Sequence, residues 1–229
     1  MPGTLFSIAI DGPSAAGKST IAKAISRHTG ALYLDTGAMY RALGLFALRS
    51  RVDPFDAESV AKILPDAQID VKHVEGEQRV FLNGEDVSAA IRQHEVSSAA
   101  SAVSAVPVVR QALVSMQQQI AKGQSCVLDG RDIGTKVLPD ATLKIFLIAD
   151  PEVRALRRHR ELAERGSEDA YDTVLRDLLK RDHNDATRAA SPLTKADDAI
   201  EINATHLRPE EVAQKVIDLL EQRIGEARA

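Results

Sequence analysis

The chain has 229 residues, of which 44% are hydrophobic and 27% charged, and its formal net charge is −4. This composition is typical of a globular protein and excludes both an intrinsically disordered chain and a broadly basic nucleic-acid coat. The single cysteine, Cys126, excludes an internal disulfide and a zinc site built from several cysteines. No stretch of 18 apolar residues and no signal peptide is evident, so we expect a cytoplasmic protein.

Short apolar runs alternate with helical patterns along most of the chain. Strands are predicted over residues 5–10, 32–34, 125–128, 143–148 and 199–202. Helices are predicted over 19–28 and 38–50, and from Pro107, Pro151 and Pro209 onward, with Asp150 as the N-cap of the second of these three. This alternation predicts an α/β fold with a parallel sheet covered on both faces.

Residues 63–102 depart from this alternation. Asn83-Gly84 lies between short apolar runs and is a hairpin signal, which predicts a small antiparallel insert. The Ser/Ala-rich run at 97–106 is interpreted as a helix of small residues packed closely against a neighbour.

The segment Gly12–Ser19 fits the pattern G-x-x-x-x-G-K-[ST] between a predicted strand and a predicted helix. In this motif main-chain N–H groups surround phosphates at a helix start, and the lysine, here Lys18, reaches the outer phosphates. The hydroxyl of Ser19 is placed to ligate Mg²⁺. The motif therefore predicts a nucleoside triphosphate site rather than a glycine-rich turn without a ligand.

One class of triphosphate-binding protein is a GTPase-like switch. Residues 194–197 (TKAD) resemble the guanine-reading pattern [NT]-K-x-D, but Ser191-Pro192-Leu193 precedes them where a buried strand is required. Residues 129–132 (DGRD) end in aspartate where the D-x-x-G switch pattern requires glycine. We interpret 194–197 as a solvated loop and keep the switch module as the alternative from a different class.

The other class is a small-molecule kinase, whose phosphate acceptor is already anionic and needs no general base. Such an enzyme must hold two anions together and neutralise transition-state charge, for which arginine is the best side chain. Arg41 follows the second predicted strand and Arg131 the third, at the carboxyl ends where sites of parallel sheets lie. A helix cap with a surface charge is the alternative interpretation of each.

Two further arginine clusters lie on the helices that follow. Arg154, Arg157, Arg158 and Arg160 form either a lid over the triphosphate or a solvated helix face. Val174, Leu178, Arg181, Asp185 and Arg188 are spaced by 4, 3, 4 and 3 and share one helix face. That face is interpreted as entering an active-site cleft, with a solvated helix end as the alternative.

The chain closely resembles the bacterial cytidylate kinases, nucleoside monophosphate kinases of the P-loop class that phosphorylate CMP and dCMP with ATP. The resemblance covers nearly the whole chain, and D-[ST]-G-A-M/I-Y-R together with D-G-R-D-x-G-T is its most specific part. Ser19 stands where some relatives have glycine. The motifs that carry the resemblance are IDGPSAAGKST (10–20), LDTGAMYRALG (34–44), LNGEDVSAAIR (82–92), LDGRDIGT (128–135), KIFL (144–147) and RDHNDATRAASPL (181–193).

The resemblance implies a three-layer α/β P-loop fold with a five-stranded parallel sheet, forming one kinase domain over residues 1–229. Its core would comprise about 1–35, 103–150 and 191–229. The segment about 36–102, including the antiparallel insert 63–102, would bind the monophosphate, and about 151–190 would form the lid. We expect a monomer that transfers the γ-phosphoryl group of ATP to CMP or dCMP with Mg²⁺ and has no nucleic-acid or membrane partner.

Site residues follow from the same resemblance and from the arginine pattern. The expected catalytic residues are Lys18, Arg131, Arg181 and Arg188. The expected ATP-binding residues are Gly12, Pro13, Ser14, Ala15, Ala16, Gly17, Lys18, Ser19 and Thr20, with Arg157 and Arg158 of the lid, and Ser19 is the Mg²⁺ ligand. The expected substrate-binding residues are Thr36, Tyr40, Arg41, Ser101, Arg110, Asp129, Arg131, Asp132, Asp185 and Arg188.

The chemistry of cytosine agrees with the base-reading residues that the resemblance implies. The N4 amino group can donate a hydrogen bond to the Asp132 carboxylate, and N3 and O2 can accept hydrogen bonds from Arg110. Uracil carries an acceptor at position 4, which would face the carboxylate lone pairs and leave a buried polar pair unmatched. A kinase for another nucleoside monophosphate remains the alternative within the enzymes.

Overall fold

The computed structural model describes residues 5–226, apart from the side chain of His94, and contains eight strands and eight α-helices in that part of the chain. The strands are β1 (Ser7–Asp11), β2 (Leu32–Asp35), β3 (Ile69–Val74), β4 (Glu77–Leu82), β5 (Glu85–Asp86), β6 (Cys126–Gly130), β7 (Leu143–Ile148) and β8 (Ile200–Asn203). The helices are α1 (Lys18–Thr29), α2 (Thr36–Arg49), α3 (Ala57–Ile63), α4 (His94–Ser104), α5 (Pro107–Ala121), α6 (Pro151–Glu164), α7 (Tyr171–Thr187) and α8 (Pro209–Glu226).

Five strands form the main sheet in the order β2-β6-β1-β7-β8, which confirms the predicted α/β fold. The central strand β1 pairs in parallel with β6 on one side and with β7 on the other, and β7 pairs in parallel with β8. Ile8, Ala9 and Ile10 of β1 are all fully buried, and because successive side chains point to opposite faces, this strand is covered on both faces. The register sets Asp11 opposite Gly130, so the carboxyl ends of β1 and β6 coincide.

The described residues fall into two compact units, of which the first comprises residues up to 33 and from 123 onward. In its hydrophobic core, α1 contributes Ile21 and Ile25 and α8 contributes Val216 and Leu220. Cys126 belongs to the first unit and is buried, which raises the pKa of its thiol to about 11. This thiol is therefore inert at neutral pH.

The second unit, residues 34–122, contains the antiparallel sheet β3-β4-β5. Asn83 and Gly84 have φ values of 50° and 85° between the paired residues Leu82 and Glu85, which confirms the predicted hairpin turn. A Cβ atom on Gly44 of α2 would lie 2.8 Å from the main-chain nitrogen of Ala100 in α4. The Ser/Ala-rich helix therefore packs closely against α2, as its composition predicts.

Helices α5 and α6 begin at Pro107 and Pro151, as predicted, but in the described part of the chain the side chain of Asp150 does not make the expected capping hydrogen bond. Asp150 occupies the N-cap position of α6, yet within residues 5–226 its side chain makes no capping hydrogen bond. Its main-chain N–H donates instead to the hydroxyl of Thr205 at 3.0 Å, so the main chain anchors this helix start.

The helices differ widely in apolar character. Among residues 5–226, no single helix combines the length and low charge that a membrane span needs. The segments Glu95–Ser104 and Pro107–Ala121 reach those limits only as a pair bent by 97°.

Candidate active site

The phosphate loop joins β1 to α1 and occupies residues 12–17, with Thr20 exposed in the first turn of α1. A Cβ atom on Gly12 would lie 2.0 Å from the carbonyl oxygen of Leu147, so a side chain is excluded there. Gly17, at the N-cap of α1, has a φ of 100°, and Ala15 has a left-handed φ of 57°. The loop therefore holds a main-chain shape that suits anion binding at the helix start.

Lys18 begins α1 and is buried beside the loop. Its ammonium group donates a hydrogen bond of 2.6 Å to the carbonyl oxygen of Pro13. Burial lowers the pKa of Lys18 to about 7, and the nearby Arg131 guanidinium acts in the same direction, while Asp129 and Asp11 partly offset both. The Lys18 side chain therefore folds back onto its own loop, and its lowered pKa means that it loses its proton close to neutral pH.

Ser19 lies next to the carboxylate at the end of β6. The Ser19 hydroxyl donates to Oδ2 of Asp129 at 2.9 Å, and the Tyr33 hydroxyl donates to Oδ1 at 2.9 Å. Among the described residues, no group of three or more His, Cys, Asp or Glu side chains is placed to hold a metal ion. One hydroxyl beside one carboxylate fits Mg²⁺, which keeps several waters and takes substrate phosphates as its other ligands.

Asp11 anchors the loop that carries Arg131 and Asp132. Its two carboxylate oxygens accept hydrogen bonds of 2.8 Å from the main-chain N–H of Ile133 and 2.7 Å from that of Gly134, and all three groups are buried. Burial raises the pKa of Asp11 to about 6 despite these hydrogen bonds, and Asp132 adds to the rise. Sequence reasoning missed this role, because no local pattern links Asp11 to a segment more than 120 residues away.

The residues of the D-G-R-D motif are held from several directions. Arg131 donates from Nε to Oδ2 of Asp185 at 2.7 Å and from Nη1 to the carbonyl oxygen of Gly130 at 3.3 Å. Asp132 is 4% exposed, and its carbonyl oxygen accepts from the N–H of Lys136 in the single π-helical turn that follows. A buried carboxylate and a partly buried guanidinium are thus adjacent in the chain at the carboxyl end of β6.

The inward face of α7 begins apolar and ends charged. Val174, Leu178 and Asp185 are buried. Burial alone would raise the pKa of the Asp185 carboxylate, but Arg131, Arg181 and Arg188 hold it below its ordinary value. The inward orientation of this face agrees with the cleft interpretation of the spacing.

Arg188 requires a correction, because it does not lie on the helix. The helix ends at Thr187, and Arg188 is its C-cap with extended φ and ψ of −60° and 141°. Its side chain is only 8% exposed, and Nε donates to the carbonyl oxygen of Ser191 at 2.6 Å. The alternative of a solvated helix end is therefore wrong: the chain leaves the helix, but the side chain stays buried.

The four arginines of α6 do not share one environment. Arg154 is buried and bonds the carbonyl oxygens of Ala149 and Ser14 and the carboxylate of Asp182. Arg157 donates to the carbonyl oxygen of Ala204 at 2.8 Å, and burial lowers its pKa. The other two differ again, since Arg158 pairs with Glu161 at 2.9 Å and Arg160 is exposed.

In the second unit, Asp35 caps α2 and holds Arg41. Its carboxylate accepts from the N–H of Ala38 at 3.0 Å and from Nη2 of Arg41 at 2.5 Å. Burial would raise the pKa of Asp35, but Arg41 and the Ala38 hydrogen bond bring it below the ordinary value. Gln78 of β4 fixes the same residue by accepting from its main-chain N–H at 2.7 Å and donating to its carbonyl oxygen at 3.2 Å.

The remaining expected residues of this unit lie on α2, α4 and α5. Thr36 and Tyr40 of α2 are buried, and the Arg110 guanidinium lies 5.4 Å from the centre of the Tyr40 ring. Arg110 is 4% exposed and donates to the carbonyl oxygen of Ser104 at 3.0 Å. Ser101 is partly buried one helical turn before Ser104.

The segment 194–197 lies in the loop between α7 and β8. No strand lies between the end of α7 at Thr187 and this segment, and Thr194, Lys195 and Asp197 are exposed. Lys195 approaches Glu201 at 3.8 Å. This matches the solvated loop expected from the sequence rather than a guanine-reading motif.

Comparison with known proteins places these motifs in one family. The cytidylate kinase family model matches residues 8–222. Proteins named cytidylate kinase are 52% identical in Caldicellulosiruptor bescii, covering 93% of this chain and 95% of that protein, and 46% identical in Bacillus subtilis, covering 95% and 97%. The solved structure of an uncharacterised protein from Eubacterium ventriosum is similar in fold alone, with a TM-score of 0.51 at 13% identity over 96% of this chain and 99% of that one. The chain therefore belongs to the cytidylate kinase family.

Proposed function

We propose that this protein transfers the γ-phosphoryl group of ATP to CMP or dCMP, giving CDP or dCDP. The observation that carries the proposal is the buried cluster of cations and carboxylates beside the phosphate loop. Lys18 lies close enough to Arg131 for their charges to interact, and Asp185 interacts with Arg131, Arg181 and Arg188. So many cations around one phosphate loop suit a reaction in which two phosphate groups must meet.

The acceptor phosphate attacks as an anion, so the residues need only position it and neutralise charge. Main-chain N–H groups of the segment 12–20, apart from Pro13, which has none, hold the ATP phosphates, and Lys18 leaves the Pro13 carbonyl to reach the transferred group. Arg131, Arg181 and Arg188 donate to the oxygens on which charge accumulates during in-line transfer. Ser19 would hold Mg²⁺, which would supply positive charge to the ATP phosphates, and Asp129 orients the Ser19 hydroxyl.

Asp185 would exchange partners during the reaction. In this structure its carboxylate pairs with Arg131 at 2.7 Å and lies 3.7 Å from Arg188. A buried arginine without a carboxylate would be costly, so this pairing keeps the site stable until phosphates arrive. The resemblance to the family assigns Arg181, Asp185 and Arg188 together to contacts with the nucleotide sugar and phosphates, and Asp185 can join them once phosphate oxygens pair with the arginines.

Base selection is proposed to rest on Asp132. Its buried carboxylate accepts from the N4 amino group of cytosine and repels O4 of uracil. For the second unit, the resemblance assigns Arg41 to the CMP phosphate and Ser101 and Arg110 to the base, with Thr36 and Tyr40 as further substrate contacts. Arg157 and Arg158 are proposed to contact ATP.

The direct test measures ADP formation with CMP, dCMP, UMP, AMP and shikimate as acceptors. We expect CMP and dCMP to exceed the other three by at least about tenfold in kcat/KM, the discrimination that a hydrogen-bonding site can supply. The Lys18→Ala variant, matched for protein concentration and folded state, should lose this turnover. Slow turnover that is the same with every acceptor would refute the kinase and favour the nucleotide-binding switch, while preference for UMP or AMP would indicate another nucleoside monophosphate kinase.

A further inference from the structure

Arg154 makes hydrogen bonds to three separate segments of the first unit. Its Nε donates to the carbonyl oxygen of Ala149 at 2.8 Å, and its Nη1 donates to the carbonyl oxygen of Ser14 at 3.1 Å and to Oδ2 of Asp182 at 2.6 Å. The residue is only 4% exposed. Because a guanidinium holds its donors in a rigid plane, this one side chain relates the phosphate loop, the end of β7 and α7 to one another.

The bond to Ser14 bears on the shape of the phosphate loop. In a trans peptide the C=O and N–H groups point in opposite directions, so a Ser14 carbonyl held by Arg154 turns the Ala15 N–H away from Arg154. Ala15 has a φ of 57°, a left-handed conformation that a residue with a Cβ atom adopts only when its surroundings impose it. Arg154 supplies such a constraint on the peptide immediately before this residue.

Asp182 connects the same arginine to the helix that carries the expected phosphate contacts. It directly follows Arg181 on α7 and lies three residues before Asp185. One of its oxygens, Oδ2, accepts from Arg154, while Oδ1 is buried and has no hydrogen-bond partner among the described residues. The hydrogen bonds of Arg154 therefore link Asp182 on α7 directly to the phosphate loop, in addition to the electrostatic interaction of Asp182 with Arg131.

We propose that Arg154 and Asp182 form a positioning pair that holds the phosphate loop in its ATP-binding shape and links that shape to the position of α7. Neither residue needs to touch ATP, because Arg154 acts through the Ser14 carbonyl and Asp182 acts through Arg154. The proposal rests on the proposed function only in taking ATP as the bound nucleotide. It makes ATP affinity depend on a carboxylate in α7.

A double-mutant cycle tests this linkage, with ATP affinity measured by calorimetry in the presence of Mg²⁺ and without CMP. We expect Asp182→Asn to raise the Kd of ATP about three- to tenfold when Arg154 is present, a coupling usual for contacting residues. In an Arg154→Met background the same substitution should change the Kd by less than about 1.5-fold. Equal factors in the two backgrounds, or an unchanged Kd in the single variant, would overturn the proposal.

The exposed pair Arg208 and Glu211 at the start of α8 supplies matched controls, since Arg208→Lys and Glu211→Gln alter a similar ion pair at 3.4 Å. Both controls should leave the Kd of ATP unchanged, and a threefold rise in either would overturn the assignment to the Arg154 pair. Urea unfolding of every variant verifies the folded state.

If Arg154→Met does not unfold cooperatively, Arg154→Lys replaces it in the cycle, because it keeps the charge and loses the fork. A second measurement uses the nucleotide-free protein: Asp182→Asn should shift the amide resonance of Ala15, and an unshifted resonance would overturn the proposal. A wild type that binds ATP without phosphorylating CMP would refute the proposed function and leave this test intact.

Discussion

The pKa of Lys18, about 7 in the absence of nucleotide, makes ATP binding sensitive to pH. The ammonium is disfavoured chiefly by burial and then by Arg131, and the negative charge of ATP removes that disadvantage. Lys18 therefore takes up a proton when ATP binds above pH 7. At pH 8 a group with a pKa of 7 is about 10% protonated, so the expected uptake approaches about 0.9 proton per ATP.

The effect of pH on ATP affinity follows in sign and size from the Lys18 pKa of about 7. Raising the pH removes the proton that the complex requires, so ATP affinity falls as the pH rises through and above 7. Between pH 7.5 and 8.5 the protonated fraction of free Lys18 drops about eightfold, which corresponds to about 1.2 kcal/mol. With saturating Mg²⁺ the triphosphate of ATP is ionised across this interval, so the change reports on the protein.

Calorimetry at pH 8 in Tris and in Hepes, which differ in ionisation enthalpy, gives the number of protons taken up. Lys18→Arg is the matched control, because a guanidinium does not titrate in this range. We expect the variant to lose the proton uptake and most of the pH dependence of ATP affinity. Equal uptake in the wild type and the variant, or less than about 0.3 proton in the wild type, would refute the role given to Lys18.

Four further predictions concern single substitutions. Arg188→Lys should lower kcat about tenfold or more, because lysine keeps the charge but loses the bidentate fork. The ATP affinity measured by calorimetry should stay within about threefold of the wild-type value. A preserved kcat would show that Arg188 does not stabilise the transition state. Asp132→Asn should reduce the ratio of kcat/KM for CMP to that for UMP by a factor equivalent to about 1–3 kcal/mol. An unchanged ratio would show that Asp132 takes no part in base recognition. Asp11→Asn turns one acceptor into a donor facing a main-chain N–H, so the free energy of unfolding in urea at pH 7 should fall by about 1–3 kcal/mol. An unchanged free energy of unfolding would contradict the anchoring role of Asp11. Gly44→Ala should lower the free energy of unfolding by about 1–3 kcal/mol, because the added Cβ atom overpacks against α4. Gly225→Ala on α8, where the added Cβ atom meets open space, is the control and should be neutral or stabilising. Similar effects of the two substitutions would contradict the close packing at Gly44.

Much of the fold could be predicted because its signals are local. Apolar runs flanked by turn residues located the strands of the main sheet to within one or two residues, and Asn83-Gly84 located the hairpin. The phosphate loop was evident because its two glycines, lysine and hydroxyl occupy fixed positions within eight residues, 12–19. Residues 129–132 were recognised as following a strand, although Asp129 and Gly130 belong to β6 itself.

The contacts between distant segments could not be predicted, and Arg154 illustrates the reason. Four arginines within seven residues of a helix are typical of a solvated face, and helical spacing alone does not identify which of them faces the core. The carbonyl of Ser14 lies 140 residues away in the chain, and main-chain acceptors leave no mark on the sequence. Asp11 and Gln78 were missed for the same reason, since each bonds main-chain groups of a distant segment.

The spacing of Arg181, Asp185 and Arg188 combines two requirements that the sequence alone could not separate. A site that receives two nucleotides needs several arginines, but buried arginines without partners would destabilise the protein when it is empty. Asp185 meets this need, because its lowered pKa keeps it ionised at neutral pH and able to pair with Arg131. In the proposed function a phosphate group offers the same guanidinium another anionic partner, so nucleotide binding would exchange one anion for another instead of creating a new buried charge. Under the proposed function, Asp185 therefore stabilises the arginines around it until phosphate groups replace it as their partner.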